Sequence, residues 1–253
     1  MDRIIKITLA VFIIILVTFV ALAGYSAYVE NAYRTSLAGS YSYTCTIATD
    51  SPLSNVTLFI PVPEDRNGNS PVISQYSAQE ITGVPDTWTT TLYDTGKSTL
   101  VRITIPSLVP PAGTSHAHPY AVTLSTNISS QTAIDTRNPV ENSPVFRPVT
   151  DLALTGCRGN ETPPDHRQCY SYQSSVYADY RSGPNASVSI TSTLLGMNRW
   201  DIFGPRENEY DTDIYVLMPG ENHGWATARG YLEQGLGSDD PVMQPVARSG
   251  RSS

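Results

Sequence analysis

The chain has 253 residues and a formal net charge of −7, with 16 Lys plus Arg against 23 Asp plus Glu. Such an acidic chain gives no support to nucleic-acid binding, which needs a positive surface to displace counterions. Charged residues make up only 15% of it, while 19 Pro and 17 Gly punctuate it; that mix argues against coiled coils and suits a strand-rich, loop-rich fold.

The stretch Ile7 to Gly24 is apolar except for Thr8 and Thr18, whose hydroxyls can bond back to a helix backbone. As a helix it spans about 27 Å, close to one hydrocarbon thickness. Arg3 and Lys6 precede it, whereas Glu30 and Arg34 cancel after it, so the positive-inside rule predicts a cytoplasmic N-terminus and an external remainder. Tyr25, Tyr28 and Tyr33 then fall at the outer headgroup level. Ala21-Leu22-Ala23 before Gly24 also has the small-x-small form of a signal-peptidase site, so a cleaved signal peptide is the rival reading. Either way, the rest of the chain is exported. Residues 1–30 are read as a cytoplasmic stub and anchor or signal peptide, and 31–39 as a juxtamembrane linker.

From Ser40 the period becomes two. Tyr41, Tyr43, Cys45 and Ile47 share one face, Asp50-Ser51-Pro52 supplies a turn, and Val56, Leu58 and Ile60 alternate with Thr57 and Phe59; the two runs read as an antiparallel hairpin. Further strands are expected at Thr87 to Tyr93, Thr99 to Ile105 and Tyr120 to Ile128. Ser129 to Thr150 is polar and carries three prolines, the pattern of a crossover or of a linker between lobes at 40–128 and 151–220. Tyr170 to Tyr180 and Val188 to Leu194 read as a long strand and its return, and Ile214 to Met218 as a last strand. An echo links Tyr41-Ser42-Tyr43 and Asn55 to Tyr170-Ser171-Tyr172 and Asn185; two facing hairpins, a duplicated lobe and chance recurrence of common residues all account for it. Trp225, Ala228 and Leu232 have helical spacing, so a short helix is predicted over Trp225 to Gln234, followed by a disordered tail from Ser238. The expected fold is mainly β: an N-terminal transmembrane helix, an extracellular antiparallel β-sandwich of about eight to ten strands over 40–220, and a short helix and tail over 221–253.

Export favours an oxidised cysteine pair. Cys157 and Cys169 enclose a polar segment with nothing apolar beyond prolines to pin it, so a disulfide is the expected staple, leaving Cys45 as a buried strand thiol or an intermolecular link. Asn55, Asn127, Asn160 and Asn185 open Asn-x-Ser/Thr sequons.

Four features bear on chemistry. Glu207, Glu209, Asp211 and Asp213 alternate, so an extended backbone puts four carboxylates on one face, a calcium candidate or a charged strand edge. His116 and His118 form a pair that lacks further metal ligands nearby in sequence. The motifs Gly-x-Ser-x-Gly, Ser-x-x-Lys, His-Glu-x-x-His and Gly-x-Gly-x-x-Gly are all missing from the sequence. Tyrosine dominates the aromatics, and Trp88, Tyr177, Tyr180 and Trp200 are the candidates for ligand contact, with core filling as the plainer role.

The run Leu53-Ser54-Asn55-Val56-Thr57-Leu58-Phe59-Ile60-Pro61-Val62-Pro63, after an anchor and a Tyr-rich strand, resembles segments of uncharacterised archaeal single-pass membrane-anchored ectodomains. That likeness covers about a tenth of the chain and implies an archaeal envelope setting, with no activity to carry over. The expected function is a non-enzymatic, membrane-anchored cell-surface role in structure, adhesion or partner binding. Expected partners are the lipid bilayer and other envelope proteins or glycans. The alternatives are a carbohydrate-binding module and an extracellular hydrolase, with or without calcium; no cofactor is expected otherwise.

Overall fold

A computed structural model describes residues 2–158, 167–239 and 241. Helix α1 (Asp2–Ser36) opens the chain. Its apolar side chains from Ile4 to Leu22 are exposed all round, so it is a helix long and apolar enough to cross a bilayer. Thr8 and Thr18 return their hydroxyls to the carbonyls of Ile4 and Ile14, at 3.0 and 2.8 Å. The helix runs on through most of the segment read as a linker, held in its last turns by an Arg34–Glu30 pair at 2.7 Å and by Thr35 and Ser36 hydroxyls.

The strands are β1 (Ala38–Thr49), β2 (Leu53–Pro61) and β3 (Pro63–Glu64), then after helix α2 (Pro71–Ala78) β4 (Thr89–Asp94), β5 (Thr99–Leu108) and β6 (Tyr120–Ser130). The one-turn helix α3 (Pro139–Asn142) leads to β7 (Val145–Phe146), β8 (Thr150–Thr155), β9 (Gln168–Arg181), β10 (Ser187–Asp201), β11 (Pro205–Pro219) and β12 (Asn222–Gly237). The fold is mainly β and antiparallel, as expected, and its main sheet is one continuous curled ribbon in the order β4-β5-β2-β9-β12-β11-β10-β1-β6, with β8 also on β9. Strands from both expected lobes belong to this sheet, since β2 pairs with β9.

Alternation decides the inner face. Tyr43, Cys45 and Ile47 of β1, Val56, Leu58 and Ile60 of β2, and Val176, Ala178 and Tyr180 of β9 join one buried cluster. Members of strands near opposite ends of the ribbon, such as Val101 and Ile103 of β5 and Leu124 of β6, share it, which is how the curl encloses a core. Helix α2 packs against both edge strands, β4 and β6. Pro71 sits in its first turn, Ser70 Oγ accepts the Val72 N–H at 3.2 Å, and Val72 and Tyr76, four residues apart, turn inward. The β3–β7 pair and the turns around Asp65 and Asp135 complete the same end, so 129–150 is packed structure, with Ile134 and Phe146 in the core.

Three expectations are corrected. β1 and β2 do not form a hairpin: β1 lies between β6 and β10, and β2 between β5 and β9. The turn between them is captured by the start of β10, because Asp50 Oδ1 accepts the Ser187 N–H at 2.8 Å and the Asp50 N–H reaches Ser187 O at 3.3 Å. β9 and β10 are likewise separated by β12 and β11, so the two connections are arches set side by side. Third, Trp225 to Gln234 is strand β12, not a helix. Ala228 and Leu232 are four apart, a spacing shared by one helix face and one strand face, and Trp225 lies in the outward phase.

The described chain divides into two compact units, residues up to 37 with 199–207 and the chain from 238, and residues 38–198 with 208–237.

Candidate functional site

The most distinctive outward feature of the sheet unit is a row of aromatic rings across neighbouring strands. In the register, Phe59 of β2 faces Tyr177 of β9, and Tyr177 faces Trp225 of β12. Phe59 also contacts Tyr93 of β4, and the three neighbouring ring pairs stand 5.4–5.5 Å apart at 72–77°. These edge-to-face contacts suit the ring quadrupoles and favour the outward rotamers over collapse onto the strands. The Arg102 guanidinium lies 6.0 Å from the Phe59 ring centre. Phe59 and Tyr177 are half-buried inside the row, whereas its ends are open, with Trp225 61% and Tyr93 53% exposed.

Polar groups flank the row. On one side Thr57, Asp179 and His223 are register neighbours, and His223 Nδ1 lies 2.7 Å from Asp179 Oδ1. That hydrogen bond, opposed by slight desolvation and aided by the charges of Asp179 and Glu221, raises the imidazole pKa. On the other side a groove of about 450 Å³ is lined by Trp225, Ser175, Leu100, Lys97, Pro148 and Val149. The arrangement offers apolar ring surface with hydrogen-bonding groups at its margin, the chemistry of a recognition surface.

A second feature lies on the outer face of β11 and β12. Cys157 and Cys169 form the expected disulfide, and the arginines beside it reach the sheet. Arg158 pairs with Asp213 and lies 3.8 Å from the Tyr231 ring centre, while its backbone N–H donates to Tyr231 Oη at 2.9 Å. Arg167 pairs with Glu233 and donates to Arg158 O at 2.8 Å. The acidic run therefore lies on an interior strand, between β10 and β12, and not at a sheet edge. Glu207 meets Arg199 at 3.2 Å, and Asp213 is taken by Arg158. Asp211 has its Oδ1 buried without a hydrogen-bond partner. Burial, with the charges of Asp213 and Glu233, pushes its carboxyl up to about 6 despite the opposing Arg158. Among the described residues no group of three or more His, Cys, Asp and Glu is placed to hold a metal. His116 instead meets Asp50 at 2.9 Å.

The aromatics that the sequence offers for ligand contact are mostly core. Trp88, Tyr180 and Trp200 are 7%, 1% and 4% exposed, because each occupies the inward phase of its strand or the base of a loop. Tyr177 alone among the four is in the outer row. Sequence reasoning misses Phe59, Tyr93 and Trp225, although the alternation of Phe59 with Leu58 and Ile60 already turns it outward. Asn55, Asn127 and Asn185 are exposed, and Asn160 lies outside the described residues, as does the expected disordered tail beyond residue 241.

No family model matches the chain, and no curated protein or solved structure is significantly similar to it.

Proposed function

We propose that this is a non-enzymatic, membrane-anchored protein whose sheet unit stands outside the cell and binds an envelope protein through the Tyr93–Phe59–Tyr177–Trp225 row. The observation carrying this reading is that row: exposed Trp and Tyr with an adjoining Arg is the composition that concentrates binding energy at protein contacts. A disulfide suits an oxidising compartment, and α1 suits a retained anchor with its N-terminus in the cytoplasm. The resemblance of Leu53 to Pro63 supports an archaeal envelope setting.

The test is a photo-crosslinking residue at position 93 of the full chain in host cells. A single protein adduct that disappears with Trp225→Ala supports the reading. An adduct indifferent to Trp225→Ala overturns it, as does no adduct from correctly anchored protein.

A carbohydrate ligand is the second reading, favoured by the Thr57–Asp179–His223 row and the groove at Trp225. Glycan-array binding by the full chain, lost on Trp225→Ala, distinguishes it from the first.

A further inference from the structure

The unit containing α1 carries an apolar side chain that its own packing does not explain. Phe203, in the turn between β10 and β11, is 74% exposed and has φ = 57°. Left-handed backbone is unfavourable for a bulky side chain, and Gly or Asn would serve the turn at lower cost. Retaining an exposed Phe there points to use of its ring.

Its surroundings indicate what for. The Phe203 ring stacks on Tyr25 of α1 at 6.4 Å and 7°, and stands 5.7 Å from the Tyr28 ring. Tyr25 and Tyr28 are themselves 57% and 55% exposed. The turn is held along the helix at two higher points. Trp200 meets Tyr33 edge-on at 5.6 Å, and the Asp201 N–H donates to Ser36 Oγ at 2.9 Å. Asp201 Oδ1 also accepts the Gly204 N–H at 3.0 Å, which closes the turn. From Ser36 back to Tyr25 is about 16 Å of helix, so the turn descends α1 and ends its reach one residue beyond the apolar run that closes at Gly24.

We propose that this turn is a second membrane contact, in which Phe203 enters the bilayer interface beside Tyr25 and Tyr28. The inference rests on the reading of α1 as a retained anchor. With α1 across the bilayer, Tyr25 lies at the boundary between acyl chains and headgroups, where aromatic rings are favoured. Phe203 lies at the same depth because its ring is stacked on Tyr25. The occupant is lipid, since the patch continues the exposed helix surface from Ile7 to Leu22, which is apolar apart from Thr8 and Thr18.

The test uses the full chain in phosphatidylcholine vesicles, with Phe203→Cys or Leu16→Cys carrying an environment-sensitive fluorophore. Cys45 is fully buried and Cys157 and Cys169 are bonded, so the introduced thiol is the one that reacts. A label at 203 should emit at shorter wavelength than in water and lose about half its signal to lipids carrying a nitroxide near the headgroup end of the acyl chain, and less to a nitroxide near the terminal methyl. A label at 203 that is unquenched while the label at 16 is quenched overturns the second contact and leaves the anchor intact. If the label at 16 is also unquenched, α1 is not in the bilayer and both readings fall.

Discussion

Tyr172 of β9 and Gly230 of β12 face each other in the sheet register, and the Tyr172 ring lies over the glycine so closely that a Cβ at 230 would meet its Cε2 at 2.3 Å. The phenol is fixed from its far end, where Oη lies 2.9 Å from Thr212 Oγ1 of β11. One glycine thus seats a buried ring across three strands. Gly196 does the same for Tyr210, with a Cβ there only 2.3 Å from Cε1.

Gly230→Ala should therefore force the ring off its seat and cost about 1–3 kcal/mol, the usual range for overpacking. Gly224→Ala, on the same strand with nothing within 4 Å of the added Cβ, should cost nothing measurable. Urea midpoints for the two variants check this; equal values would show that the glycine is not there for the ring.

This pair also shows why β12 escapes sequence reasoning. Gly230 reads locally as a weak point in a helix, and its partner is 58 positions away by register, a distance no local pattern spans. Strand phase is legible wherever Val, Ile, Leu or Tyr alternates with Ser or Thr, as in β1, β2, β5 and β9. Strand order is not, because Asp50 and Ser187 set the arches through contacts between distant segments. Of the outer row, Tyr177 is legible in the sequence, whereas Trp225 is hidden by the i, i+4 spacing of Ala228 and Leu232. The disulfide is legible because a polar segment between two cysteines has little else to hold it.

Asn198 is a buried polar hub. Its Oδ1 accepts the Ile134 N–H at 2.9 Å, and its Nδ2 donates to Ile134 O at 2.8 Å and to Asn208 Oδ1 at 2.9 Å. Asn198→Ala strands both backbone groups of Ile134, and about 2–4 kcal/mol of stability should be lost in equilibrium unfolding.

Asp211 makes a pH prediction whose sign is set by its raised pKa. A carboxyl raised from 3.8 to about 6 in the folded state contributes most below the unfolded value and loses that contribution as pH rises through the folded one. Asp211→Asn should therefore be more stable than wild type at neutral pH, by on the order of 2 kcal/mol. That advantage should disappear near pH 4, a range readable by urea unfolding at several pH values. Asp50 and Asp65 act in the opposite sense. Burial works against their charge, but hydrogen bonds from His116, Ser187 and Ser51, and from Asn69 and Asn67, outweigh it and depress both carboxyls, so their contribution is lost as pH falls below the ordinary carboxylate range.

Replacing Cys157 and Cys169 together by Ser should cost about 3 kcal/mol, the chain-entropy value for a loop of this length. Cys45 should resist alkylation until the chain unfolds, because it is fully buried and that burial raises its thiol to about 11. Urea unfolding of the double variant reads the first point, and peptide mapping of native and unfolded protein after alkylation reads the second.

The central claim is that α1 stays attached and holds the sheet unit outside the cell. The chain has two lysines, Lys6 before the apolar helix and Lys97 on the exposed β4–β5 turn. Treating intact cells with a membrane-impermeant amine reagent should modify Lys97 and leave Lys6 untouched in a chain that still carries its first residues. Modification of Lys6 with Lys97 protected, or a mature chain lacking α1, would contradict the account.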